Sequence, residues 1–199
     1  MMYPESLNSL IESFKYLPGV GEKSAERMAF SVFDLDEEQI SQFSESLMIL
    51  KEKIHPCKIC NTLTENEKCN ICNNEHRQRE VLCILEDTKN VFLFEKMAMF
   101  NGIYHVLDGL ISPLDGINPE DIGLEKLVNR IKEESFEEII FAFKPSIEGE
   151  TTALYIKKIL EDTSIKITRL ASGVPMGADM EYIDSLTLER ALTDRKEVA

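Results

Sequence analysis

Positive charge is scarce in this chain. Lys and Arg number 22 against 36 Asp and Glu, a net charge of −14. A broad basic field for gripping nucleic acid is therefore excluded, and long-range steering toward a polyanion is weak or unfavourable. Any such contact must come from a few local cations and from backbone N–H groups. Long apolar runs are missing too. None approaches the ~20 residues needed to cross a bilayer, and the start lacks the basic-then-apolar pattern of a secretion signal, so a soluble, cytoplasmic protein is expected. Internal repeats and low-complexity tracts are absent. No G-x-x-x-x-G-K-[ST] string occurs, which leaves nucleotide hydrolysis without support.

The 199 residues, 43% of them apolar, suffice for one large domain or two or three small ones. Residues 1–54 read as helical. Leu7, Leu10, Ile11, Phe14 and Leu17 recur at helical spacing, as do Ala25, Met28, Ala29, Val32 and Phe33. Ile40, Phe43, Leu47, Leu50 and Ile54 mark one face of a longer third helix, with Asp34 or Asp36 as its cap. Residues 55–79 are polar and hold too few large apolar side chains for a core of their own. From Glu80 onward, strand candidates (Val81–Leu85, Ile103–Leu107, Ile139–Phe143, Ile165–Ala171) alternate with helix candidates (Thr88–Phe100, Leu124–Glu134, Glu148–Glu161, Asp184–Leu192). That alternation predicts a parallel sheet covered on both faces.

Four of the five cysteines stand as Cys57-x2-Cys60 and Cys69-x2-Cys72, with eight residues between the pairs. Each pair forms a tight knuckle that presents two thiolates to one tetrahedral ion, and the intervening arm folds the second knuckle back to complete the site. Four thiolates close the coordination sphere, the arrangement of a structural rather than a catalytic Zn2+. Metal then replaces the apolar core that the segment lacks. His55 and His76 flank a site with no vacancy and are expected on the surface; Cys83 is expected as a small buried apolar residue.

Between the first two helices runs "LPGVGEKSAERMAF", Leu17 to Phe30. Gly19 and Gly21 permit positive φ and bare the backbone. Val20 can plug inward, and the second helix begins near Glu22. Its first N–H groups have no internal partner, so a phosphate can satisfy them. Lys23 adds charge there, with Arg27 on the same face four residues on. Such a corner grips a nucleic-acid backbone without reading bases. A plain helix–turn–helix corner would carry the same pattern, and the residues alone do not separate the two.

The corner resembles a helix-hairpin-helix motif. It is followed by the four-cysteine site and then by "YHVLDGLISPLDGINPEDI", "KPSIEGETTALYI" and "ITRLASGVPMGADMEYID". That order, from about Leu7 to Arg195, resembles the RecR family of bacterial recombination mediators. The resemblance implies an α+β chain in four parts: a helix-hairpin-helix DNA-binding region over 1–54, a four-cysteine zinc finger over 55–79, an α/β Toprim domain with a parallel sheet over 80–175, and a Walker-B-like segment with a closing helix over 176–199. Family members form rings, often tetramers, that can encircle DNA. They work with RecO, and in many bacteria RecF, to load RecA onto single strands coated by single-strand-binding protein, and they carry no enzyme activity of their own. A cytoplasmic, nucleoid-associated protein follows from this.

Catalytic Toprim domains resemble one another in carboxylates that hold Mg2+, a hard cation requiring oxygen ligands. Glu86 sits where the first acid belongs. In "FKPSIEGE", Lys144 and Ser146 take the positions of two later acids, leaving Glu148 and Glu150 at a helix start, where negative charge is favourable anyway. Lys144 stands where RecR-like sequences commonly have Asn. A Mg2+-dependent nuclease or topoisomerase-like enzyme using Glu86, Glu148 and Glu150 is the competing expectation; a zinc-stabilised scaffold that binds only proteins is a third. Gly173–Asp184 is implied to form subunit contacts, and reads equally as a surface loop.

Overall fold

Three helices fill the N-terminal unit, which ends at Ile54. In the computed structural model, which describes residues 3–171, 173–195 and 197, they are α1 (Glu5–Lys15), α2 (Glu22–Phe33) and α3 (Glu37–Lys53). Ile11, Ala25 and Ala29 are buried where α1 meets α2, and Leu7, Leu10, Phe14 and Val20 pack around them. The two alanines let the helix backbones approach closely, and Val20 plugs the corner as its position predicts. Asp36 rather than Asp34 caps α3. Its carboxylate accepts from the Gln39 N–H at 2.8 Å while the Gln39 side chain accepts from the Asp36 N–H, a reciprocal capping box. The apolar stripe of α3 forms as spaced, but the helix buries none of its residues.

The second unit runs from His55. Two short antiparallel strands, β1 (His55–Pro56) and β2 (Leu63–Thr64), and the single-turn α4 (Asn70–Asn73) carry the cysteines. Four parallel strands follow: β3 (Gln78–Leu85), β4 (Gly102–Val106), β5 (Glu138–Phe141) and β6 (Lys166–Arg169), in spatial order β4-β3-β5-β6. The helices between them are α5 (Thr88–Met97), α6 (Leu124–Glu133) and α7 (Ile147–Ile159); α8 (Ser185–Thr193) comes last. Period-two alternation divides the core. Leu82, Ile84, Ile103, Ile139 and Phe141 pack with Leu127 and Ile131 of α6 and Ile156 of α7. Cys83, Leu85, Tyr104 and Val106 turn to the opposite face with Val91 of α5. Each such fully buried aliphatic side chain contributes about 2 kcal/mol. Cys83 is buried as expected. No helix among the described residues is long and apolar enough to cross a membrane.

Several ends move relative to the sequence pattern. β3 begins three residues early, because its polar start pairs Gln78 with Gly102 across an irregularity before Leu82. α5 stops at Met97 rather than Phe100, because Ala98 takes a left-handed conformation, φ 53°, and caps the helix. β5 and β6 are shorter than their apolar runs, and Phe143, beyond β5, stacks on Phe141 at 5.4 Å.

β4 lies at the sheet edge, yet all five of its residues are buried. Arg130 Nη1 donates to the Tyr104 carbonyl at 2.7 Å and Arg77 Nη1 to the Gly102 carbonyl at 3.3 Å, and the cysteine segment covers the Val106 end. Val106 donates its N–H to the Cys60 carbonyl at 2.8 Å, and Asn61 Nδ2 donates to the Val106 carbonyl at 3.1 Å. From α6, Lys126 Nζ donates to Asn61 Oδ1 at 2.6 Å. An edge strand is thus paired rather than left as a template for aggregation.

His105 of β4 is fully buried. Arg130 Nη1 lies 3.5 Å from its Nδ1; since a guanidinium only donates, this assigns the ring proton to Nε2, which has no partner. Burial foremost, then the nearby charges of Arg130 and Lys126, lowers its pKa to about 3. The folded value lies below the unfolded one, so the unfolded chain binds more protons and stability is lost as pH falls through about 6.5. Between about pH 7 and pH 5 this group should remove about 2 kcal/mol of stability. His105→Leu should flatten that slope in urea unfolding curves at constant zinc; an unchanged slope would remove His105 from the account.

Candidate nucleic-acid interface and zinc centre

The corner between α1 and α2 is built as a bare backbone surface. Gly19 sits in the left-handed region, φ +80°, where other residues are strained. Gly21 corrects the expectation for the second glycine: its φ is −86°, ordinary extended backbone, and it serves as the N-cap of α2. A Cβ there would meet nothing within 4 Å, so neither conformation nor packing in this chain requires glycine at 21. Gly21 supplies no capping side chain, and its carbonyl accepts from Ser24 and Ala25 at 3.0 and 2.9 Å. The N–H groups of Glu22 and Lys23 are left without a partner at the positive end of the helix dipole, and both residues are exposed. Lys23 and Arg27 are both exposed beside them. Across the corner, Lys15 Nζ meets Glu12 at 2.9 Å and Glu22 at 2.8 Å, tying the end of α1 to the start of α2.

Cys57, Cys60, Cys69 and Cys72 are buried, and their four sulfurs all lie within 4.8 Å of one another. Sulfurs around tetrahedral Zn2+, at about 2.3 Å from the metal, stand about 3.8 Å apart; Cys60 Sγ and Cys69 Sγ are 3.5 Å apart. Asn61 closes the first knuckle with φ 62°, a left-handed conformation that Asn tolerates. Backbone N–H groups aim at the sulfurs, Cys69 N to Cys57 Sγ at 3.3 Å and Cys72 N to Cys69 Sγ at 3.4 Å. Such crowded thiols cannot all ionise unaided. Hydrogen bonding with Cys69 pushes Cys60 up to about 12, hydrogen bonding with Cys60 pushes Cys72 up, and Cys69, stabilised foremost by Cys60, is held low. A bound dication would favour the thiolate form of all four and offset half of their summed negative charge. The donor set, its burial and its spacing fit one structural Zn2+. His55 and His76 are exposed and outside the set.

The Toprim acids do not gather in this way. Glu86, just after β3, accepts from the Lys144 N–H at 3.2 Å, and its other carboxylate oxygen is buried without a partner. Glu148, in the first turn of α7, is held low foremost by its hydrogen bond with Ser146. Glu150 faces away into two guanidinium groups, Arg169 at 3.0 Å and Arg190 at 3.1 Å. Among the described residues the four cysteines are the one group of three or more His, Cys, Asp or Glu side chains whose ligand atoms converge. Sequence reasoning missed Arg169 and Arg190 as partners of Glu150, and Lys126 as the clasp of the zinc knuckle, because each pairing spans distant positions with no spacing to reveal it.

Comparison with known proteins agrees with this layout. Residues 7–50 match the family profile for the RecR helix-hairpin-helix, 54–74 the RecR four-cysteine zinc finger domain, 80–171 the Toprim domain and 173–196 the RecR C-terminal region. Over 198 residues, covering 100% of both chains, the sequence is 46% identical to the recombination protein RecR of Staphylococcus haemolyticus and to that of Staphylococcus aureus strain Mu3. The chain belongs to the RecR family. The three helices, the four-cysteine cluster and the four-stranded parallel sheet thus correspond to the parts that the RecR resemblance implies, and the chain is a recombination and DNA-repair protein of that family with a structural Zn2+ site.

Proposed function

We propose that the chain is a non-enzymatic recombination mediator that binds or encircles DNA without regard to base sequence. It acts with RecO, and with RecF where that partner is present, to load RecA onto single-stranded DNA coated by single-strand-binding protein. The observation that carries this reading is the bare α2 N-terminus at Gly21, flanked by exposed Lys23 and Arg27. Gly19 and Gly21 present backbone to phosphate, Lys23 and Arg27 add charge, and homo-oligomerisation into a tetrameric ring repeats the corner around one duplex. Its working parts are the corner region 1–54, the zinc finger 55–79, the Toprim domain 80–175 and the C-terminal segment 176–199. A role without strand chemistry is supported by Glu150, whose carboxylate Arg169 and Arg190 occupy, and by Lys144 and Ser146 at positions where catalytic relatives carry acids.

The test is fluorescence anisotropy at low salt on two unrelated DNA sequences, with RecO absent and then present. Lys23→Ala combined with Arg27→Ala should keep fold and zinc and lose about tenfold in affinity or more on both sequences, because phosphate contacts position without specifying and repeat in a ring. Gly21→Ala, which the open space tolerates, should fold normally and weaken binding by blocking the backbone. Unchanged affinity in the double variant would reduce the corner to a plain turn, and Mg2+-dependent nicking of supercoiled plasmid would favour the enzymatic reading.

A further inference from the structure

Among the described residues the sheet has one open edge, β6. Its Lys166 and Leu170 N–H groups donate inward to the carbonyls of Glu137 and Phe141 at 2.9 and 3.1 Å, and the alternation of a parallel ladder turns the backbone groups of Ile167 and Arg169 outward. Along that edge a groove of about 560 Å³ lies between β6 and α7, and it continues into a second of about 470 Å³ that shares Leu154, Lys157 and Ile167. Apolar side chains of Leu154, Ile165 and Ile167 line it. Leu154 is exposed although it faces a groove of apolar neighbours. Lys157 and Lys158 stand on its rim, and neither takes part in the ion pairs of the described residues, whereas the cations beside them, Lys166 and Arg169, are matched with Glu138 and Glu150. Glu161 lines the same groove, also outside the ion pairs of the described residues, so two cations stand there against one carboxylate.

We propose that this edge is a docking site for an acidic, extended segment of a partner protein that adds to the sheet as a fifth strand beside β6. Backbone N–H and C=O groups of Ile167 and Arg169 would pair with the incoming strand. Side chains at every second position would enter the groove against Leu154 and Ile167, and carboxylates would meet Lys157 and Lys158. The excess of Lys157 and Lys158 over Glu161 favours an acidic peptide over other occupants. A nucleic-acid strand would be served by the lysines but not by the apolar lining, and a basic segment would be repelled.

The experiment titrates the full-length zinc protein with a fluorescein-labelled peptide of about six residues, the usual strand length, alternating Glu with Val or Phe. Controls are the same peptide with Lys for Glu, and a single-stranded oligonucleotide. The acidic peptide should bind in a salt-dependent way and slow hydrogen exchange at Ile167 and Arg169. Lys157→Glu with Lys158→Glu should lower its affinity about fivefold to tenfold, and Leu154→Glu, a change at an exposed position, should lower it as well. Equal binding of the Lys peptide, competition by the oligonucleotide, or acidic-peptide binding indifferent to these substitutions would overturn the proposal. So would dissociation of an oligomer by the double reversal in the absence of peptide, which would assign the groove to a second copy of the chain.

Discussion

Stripping zinc from the purified protein should unfold the cysteine segment and precipitate the chain. Structural Zn2+ sites contribute on the order of 10 kcal/mol of apparent binding free energy at neutral pH, comparable with the whole stability of a typical domain. Little else holds residues 57–72 together; the segment's own core is its four cysteines, with Ile59 and Ile71 packed alongside. The damage would not stay local. When Cys60 leaves, Val106 loses the carbonyl that accepts its N–H, and the Val106 end of β4 becomes an uncovered apolar edge, a template for intermolecular pairing. A strong chelator should therefore lower the melting temperature and raise light scattering together, with both effects prevented by excess zinc. Cys60→Ser should lower zinc content below one per chain and mimic the chelated protein. A melting curve unchanged after elemental analysis confirms zinc removal would contradict this account.

Gly149→Ala should destabilise the Toprim region by about 3 kcal/mol, at the upper end of ordinary overpacking. A Cβ at this position would lie 2.3 Å from the Lys144 carbonyl oxygen, a backbone atom that cannot swing aside. That carbonyl is already fixed by the Ser146 N–H at 2.8 Å, and the Lys144 N–H by Glu86 at 3.2 Å. The first turn of α7 would have to lift away from the end of β5. Urea unfolding gives the measurement, with Gly21→Ala as the comparison: no atom stands within 4 Å of its added methyl group, so stability should hold. Equal stability of the two variants would mean that the turn at Lys144 yields freely.

Local signals are legible in the sequence and distant pairings are not. The cysteine pairs declare their chemistry because ligand spacing is a property of a few adjacent residues. Helical faces such as Leu7–Leu10–Phe14 are legible for the same reason. Strand order is not: β3 lies between β4 and β5, and nothing in an apolar run says which neighbour it takes. Gly21 shows a subtler failure. Its residue type suggests positive φ, yet the backbone is extended and the absence of a side chain matters for what approaches from outside. The Toprim resemblance groups Glu150 with Glu86, but the helix turns it toward Arg169 and Arg190, a choice made by residues 19 and 40 positions away.

The last helix, α8, buries none of its residues. Its ties to the sheet and α7 among the described residues are Arg190 to Glu150 at 3.1 Å and Asp194, just past its end, to Arg169 at 3.5 Å. These are ion pairs at partly exposed side chains, of the kind that salt screens and that contribute little each. A helix attached this way opens on its own, without waiting for the sheet to unfold, because it buries no residue fully and only Leu188 and Ala191 among its apolar side chains are half-buried. Its amides should exchange with solvent orders of magnitude faster than those of β3, and a protease should remove it first, sooner in high salt than in low, while the zinc-clasped sheet behind it stays intact.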